Sequence, residues 1–193
     1  MPRIITFSHQ KGGVGKSTLA YNVAQNISKD AKVCIIDYDK QGSLSQISEL
    51  VNFDILDNIK VERVVSLDYD FIIIDTPPYL SENLIELFKI SDLILVPTRA
   101  GILDLFAIRG TIYLIKEAEQ DSKAMIVFNL IKPNTTLTSD VQKEMKEFNI
   151  KIAETQVSDL VVFTRSILLG GVEGGNAKSQ IDSLTKEILE KII

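Results

Sequence analysis

A three-layer α/β fold built on a mainly parallel, doubly wound sheet is what this 193-residue sequence predicts. Three observations carry the expectation. Runs dominated by Ile, Val and Leu recur with little polar alternation, as in strands covered on both faces. Segments with apolar residues at helical spacing separate them. Parallel neighbours need such crossovers, which are right-handed almost without exception. No repeat, low-complexity tract or linker interrupts the pattern, so residues 1–193 are expected to form one domain.

The elements follow in order. Residues 3–8 (RIITFS) form a first strand that ends at a glycine-rich loop, and residues 17–29 (STLAYNVAQNISK) follow as a helix. Further strands are expected at 31–37 (AKVCIID), 71–75 (FIIID), 92–97 (DLILVP) and 123–129 (KAMIVFN). Helical patterns occupy 42–51, 80–90, 102–120, 138–148 and 178–193. In the last, Ile181, Leu184, Ile188, Leu189, Ile192 and Ile193 form one apolar stripe, while the charges beside it cancel. A neutral helix gains nothing from anionic lipid, so core packing is expected rather than a stable membrane anchor.

Composition narrows the classes. With 45% hydrophobic and 24% charged residues the chain is globular, and no apolar run approaches the ~18 residues that span a bilayer. The first residues turn polar too early for a secretory signal, which points to the cytoplasm. Cys34, the single cysteine, lies in an apolar run and reads as a core residue. A net charge of −5 means that any contact with nucleic acid must use a local basic patch.

Ligands bind such sheets at the carboxyl ends of the strands, and the telling residues are there. Residues 11–18 (KGGVGKST) carry the G-K-[ST] core of the phosphate-binding Walker A pattern, with Lys11 at the entrance of the loop as a departure from it. Gly12, Gly13, Val14 and Gly15 let successive backbone N–H groups face a phosphate, and the helix that starts there adds its positive end. Lys16 is expected to reach the β and γ phosphates, Ser17 to offer its hydroxyl to Mg²⁺, and Thr18 to complete the motif. Two ammonium groups at one loop are costly unless a large negative charge lies between them, and a triphosphate supplies it. Asp37 and Asp39 close the second strand and, two residues apart, are expected on one face. The apolar strand at 71–75 delivers Asp75, followed by the turn Thr76-Pro77-Pro78, in the manner of Walker B. His9, the single histidine, reads as a polar loop residue rather than a base.

On these residues, and over essentially the whole chain, the sequence resembles the ParA/MinD family of deviant Walker A ATPases, in particular the short ParA-type partition ATPases without an N-terminal helix-turn-helix. The resemblance implies a P-loop NTPase fold with ATP and Mg²⁺ as cofactors. It makes Lys11 the signature lysine, which crosses a dimer interface to touch the partner's nucleotide, so an ATP-dependent homodimer is implied. It makes Asp39 the residue that polarises the attacking water. Asp37 becomes an indirect partner near the loop or the metal, and Ser17, Asp39 and Asp75 surround the metal. Asn129, at the end of the 123–129 run, is implied to read the adenine edge, turn capping being the alternative. The family carries proline after the second aspartate, where this chain has Lys40. Neither "PTRAG" nor "FNLIKP" supplies the aspartate of a guanine-reading motif, which favours ATP over GTP.

By the same resemblance the function is partition of a plasmid or chromosome. The ATP dimer binds DNA non-specifically, and a DNA-bound, centromere-binding ParB-type partner stimulates hydrolysis. The protein is then cytoplasmic and associated with the nucleoid. Arg165 and Lys178 are the DNA candidates, with Arg99, Arg109 and Lys132 as further members of a patch. Residues 97–193 hold twelve basic against thirteen acidic groups, so only a clustered subset could serve. Two other classes stay open, a MinD-like membrane or pole-positioning ATPase and a small-molecule P-loop kinase or ligase. One cysteine excludes bridging an iron–sulfur cluster in the manner of nitrogenase reductase.

Overall fold

The five apolar runs become the interior of a sheet because their side chains find cover on both faces. In the computed structural model, which describes residues 1–39, 44–57, 59–79, 83–132 and 137–193, the strands are β1 (Arg3–Phe7), β2 (Val33–Asp37), β3 (Asp54–Asp57), β4 (Phe71–Asp75), β5 (Leu93–Thr98), β6 (Ala124–Phe128) and β7 (Lys151–Ile152). They lie in the order β3-β2-β4-β1-β5-β6-β7, and every described pair is parallel. Ile5, Phe7, Ile35, Ile73, Leu95 and Val127 point to one face, where they pack with α1 (Lys16–Ile27) and α7 (Gly175–Ile192). Their neighbours Ile4, Ile36, Ile74, Ile94, Ile126 and Phe128 point to the other. That face is covered by α2 (Val61–Val64), α3 (Leu84–Ile90), α4 (Ile102–Glu117) and α5 (Leu137–Met145). A short α6 (Val161–Arg165) precedes α7. The doubly wound, three-layer expectation holds.

Some details differ from the sequence reading. The edge strands β3 and β7 were not expected, because β3 exposes both its end residues and β7 has two residues, too few for a pattern. The helix expected at 42–51 is a 3-10 stretch over Ser45–Leu50 with no buried residue, so nothing pins a longer helix there; residues 42 and 43 lie outside the described residues, as do 80–82 of the next pattern and Lys40. Of the terminal stripe, Ile181, Leu184, Ile188 and Ile192 are buried against the α1 side of the sheet and Leu189 is partly so, while Ile193 is exposed at the chain's end. His9 lies in the loop after β1, as expected, and is fully buried there. Cys34 is buried as expected, and the same burial pushes its thiol up to about 12.

Sheet register positions the site. Asp75 pairs with Phe7 on one side and Asp37 on the other, so the ends of β1, β4 and β2 finish level. Beyond them, the Thr76 hydroxyl donates to the Phe7 carbonyl at 2.9 Å and ties the end of β4 to the strand that feeds the glycine loop.

Candidate nucleotide-binding site

The loop after β1 turns into α1 through two left-handed glycines, Gly13 (φ 70°) and Gly15 (φ 86°). Gly15 caps the helix and its carbonyl accepts the Leu19 N–H at 3.0 Å. A Cβ at Gly15 would sit 2.2 Å from the Asn129 side-chain nitrogen, so this position has no room for another residue. Helix α1 opens at Lys16, so its first amides and the positive end of its dipole face the loop, an arrangement that can hold an anion.

Lys16 is 7% exposed, and burial holds its ammonium below the ordinary lysine pKa while the Asp75 and Asp39 carboxylates pull it back up. Asp75 is 1% exposed, and burial pushes its carboxyl up to about 7; the Ser17 hydroxyl and the Lys16 ammonium act against that rise. Asp75 Oδ1 has no hydrogen-bond partner among the described residues. A buried carboxylate oxygen left unmatched beside a serine hydroxyl is costly alone and is matched by a hard cation, so Ser17, Asp75 and the neighbouring Asp39 fit Mg²⁺. These are the residues the sequence put forward, and the fold brings them together.

Asp37 and Asp39 do not share a strand face as expected, because β2 ends at Asp37 and Asp39 lies beyond it. Asp37 instead accepts the backbone N–H groups of Asp39 at 3.0 Å, Leu44 at 3.1 Å and Ser45 at 3.2 Å. This carboxylate orders the segment that carries Asp39, and Asp39 is half-buried near enough to Lys16 to act on its charge.

Lys11 has a partner that sequence reading missed. Its Nζ lies 2.6 Å from Oδ1 of Asp104, in the first turn of α4, and its backbone N–H donates to His9 Nδ1 at 2.9 Å. The Asp104 carboxylate is 8% exposed and the Lys11 side chain 35%. Burial, with the Lys16 charge second, lowers His9 to about 4, so it is neutral at pH 7, and its Nε2 has no hydrogen-bond partner among the described residues. Helix α4 is clamped to the loop once more by Gln10, whose N–H donates to Thr111 Oγ1 at 3.1 Å. Gly110 leaves space for the Gln10 side chain, which a Cβ there would meet at 2.6 Å.

Asn129 and Arg99 close the other side. The Asn129 side-chain nitrogen donates to the Val14 carbonyl at 2.8 Å, and the Arg99 guanidinium donates to the Gly13 carbonyl. Arg99, grouped by sequence with a DNA patch, therefore stands at the nucleotide loop. Its place directly after β5 was the available signal, since strand carboxyl ends line the site. Arg165 lies far along the chain on α6 and is exposed. Lys178 is ion-paired with Asp182 and reaches the Asn26 side-chain oxygen at 3.3 Å. Arg109 covers the exposed Phe106 ring on α4 at 5.2 Å.

Residues 5–168 match the family described as the CobQ/CobB/MinD/ParA nucleotide binding domain. A curated relative, the maintenance of carboxysome distribution protein A of Halothiobacillus neapolitanus, is 25% identical over 207 residues, covering 96% of this chain and 95% of the relative. Two solved structures share the fold. A protein of Borrelia burgdorferi, described as a plasmid partition protein and bound to AMPPNP, has a TM-score of 0.81 at 20% identity over 100% of both chains. An ATP complex of McdA from Cyanothece has a TM-score of 0.82 at 16% identity, over 98% of this chain and 96% of its own. With a sheet, a loop and a carboxylate set of this kind matched over most of its length, the chain belongs to the CobQ/CobB/MinD/ParA family of nucleotide-binding domains, as a ParA/MinD-type ATPase.

Proposed function

We propose that this chain is a ParA-type switch that binds ATP with Mg²⁺, dimerises on it, holds DNA non-specifically through the dimer, and lets go on hydrolysis. One observation carries the reading. The loop contains a second lysine that its own phosphate cradle does not need, and that lysine is paired with Asp104 at the rim of the loop rather than spent in the core. In the dimer Lys11 exchanges Asp104 for the phosphates of the partner's nucleotide. Lys16 and the loop amides hold the chain's own phosphates, and Ser17, Asp75 and Asp39 hold Mg²⁺, whose charge screens the triphosphate. Asp39, set by Asp37, orients the attacking water. A centromere-binding partner of the ParB type accelerates the step, as supplied groups do in other P-loop enzymes. Arg165 anchors the DNA face.

Likeness to a carboxysome distribution protein over nearly its full length favours a second reading of the cargo alone: a protein body moved by the same cycle, in place of a replicon. The test pairs DNA retention with liposome flotation, each with ATP and with ADP. ATP-dependent DNA retention that falls steeply with salt is expected. ATP-dependent liposome binding without DNA retention would replace this reading with a membrane-positioning one. Lys16→Ala should abolish nucleotide binding, and Asp39→Ala should trap the ATP dimer.

A further inference from the structure

We propose that Asn129 and Arg99 are positioning residues of the nucleotide loop, acting on phosphate through the backbone of Gly13 and Val14. The proposal rests on the reading of this loop as the nucleotide site. Each peptide unit carries its N–H and C=O on opposite sides, so a loop that turns its amides toward an anion turns its carbonyls away from it. Those carbonyls need donors of their own, or the peptide planes are free to flip and present oxygen to the phosphate.

Two donors meet that need. Asn129 is 3% exposed and follows β6 directly, and its side-chain nitrogen lies 2.8 Å from the Val14 oxygen. The contact is tight, because a Cβ on the left-handed Gly15 would collide with that nitrogen. Arg99 follows β5 directly and binds the Gly13 oxygen from the solvent side. The strand ends that carry the pair are themselves tied, with the Asn129 N–H donating to the Thr98 carbonyl at 2.8 Å. The loop is thus braced from one rigid platform rather than from two independent loops. The buried amide has no competing water and dominates, and the exposed guanidinium adds less.

An adenine-reading role predicts something different, which makes the proposal testable with the base removed. The probe is inorganic tripolyphosphate with Mg²⁺, compared with ATP by calorimetry on the full chain. Asn129→Ala should weaken both ligands by a similar factor, about tenfold to a hundredfold for the loss of one hydrogen bond to a buried carbonyl. Asn129→Asp keeps the shape but faces the Val14 oxygen with a carboxylate, so it should bind more weakly than Asn129→Ala at pH 8. Measured against the unmodified chain, its binding should recover toward pH 6 as the introduced carboxyl gains a proton it can donate; a mere loss of fold would show no such recovery. Arg99→Ala, on an exposed residue that tolerates substitution, should cost both ligands a few-fold and carries the test should the Asn129 variants fail to fold. Loss of ATP binding with tripolyphosphate binding intact would overturn the role of Asn129. Unchanged nucleotide affinity in Arg99→Ala would overturn that of Arg99. An unmodified chain that binds neither ligand would overturn the nucleotide reading beneath both.

Discussion

Replacing Asp104 with asparagine should tighten the ATP dimer. Lys11 and Asp104 form a 2.6 Å pair whose carboxylate is 8% exposed. When Lys11 leaves for a partner's nucleotide, that carboxylate stays behind, nearly buried and without its cation. Leaving a buried polar group unmatched costs about 1–3 kcal/mol and more for a charge, part of which the positive end of α4, in whose first turn Asp104 lies, and solvent at the rim offset. We take about 1.5 kcal/mol per chain. Two chains give about 3 kcal/mol, or roughly a hundredfold in the dimer dissociation constant. Asparagine has the same shape and no charge to strand, so most of that cost vanishes. The assay is sedimentation across a protein dilution series with AMPPNP and Mg²⁺. An Asp104→Asn dimer no tighter than the unmodified one would refute the exchange of partners. The double variant Lys11→Ala, Asp104→Asn should show no tightening, because the two side chains act on one step.

Other consequences are independent of that latch. Asp75 is raised to about 7 against 3.8 unfolded, so the stability it contributes is complete below pH 3.8 and is lost as pH rises through 7. Asp75→Asn should therefore melt higher than the unmodified chain without nucleotide, by a margin that grows from pH 5 to pH 8, and Mg²⁺-ATP binding at pH 6.5 should release a proton from the unmodified chain, seen as a buffer-dependent heat. Leu184→Ala opens a hole at a fully buried position between α7 and the sheet and should cost about 2–5 kcal/mol by urea denaturation. Arg165→Glu should reduce ATP-dependent DNA retention more than Lys178→Glu does, because Lys178 is already engaged by Asp182 and Asn26.

Strands whose two faces are both buried announce themselves, which is why β1, β2, β4, β5 and β6 were legible as uninterrupted Ile and Val runs. β3 and β7 sit at the sheet edges, where half-exposed residues carry no such signature. The site divides in the same way. Lys16, Ser17 and Asp75 are set by local motifs at the ends of adjacent strands, and the register delivers them. The partner of Lys11 lies 93 residues away on a helix that crosses the loop, and the bond from Arg99 spans 86. Contacts of that kind depend on how α4 and the strand ends pack, which no local pattern encodes. Asp37 shows the intermediate case: its type and place were readable, but its work on the backbone of residues 39, 44 and 45 depended on where β2 stops.

The most direct test is the mass of the Lys11→Ala chain in solution, by light scattering, with AMPPNP and Mg²⁺ at a nucleotide concentration shown by calorimetry to saturate it. A saturated monomer is the predicted result, since Lys16 and the loop amides suffice for binding and only the bridge between chains is gone. A saturated dimer as tight as the unmodified one would contradict the role in trans.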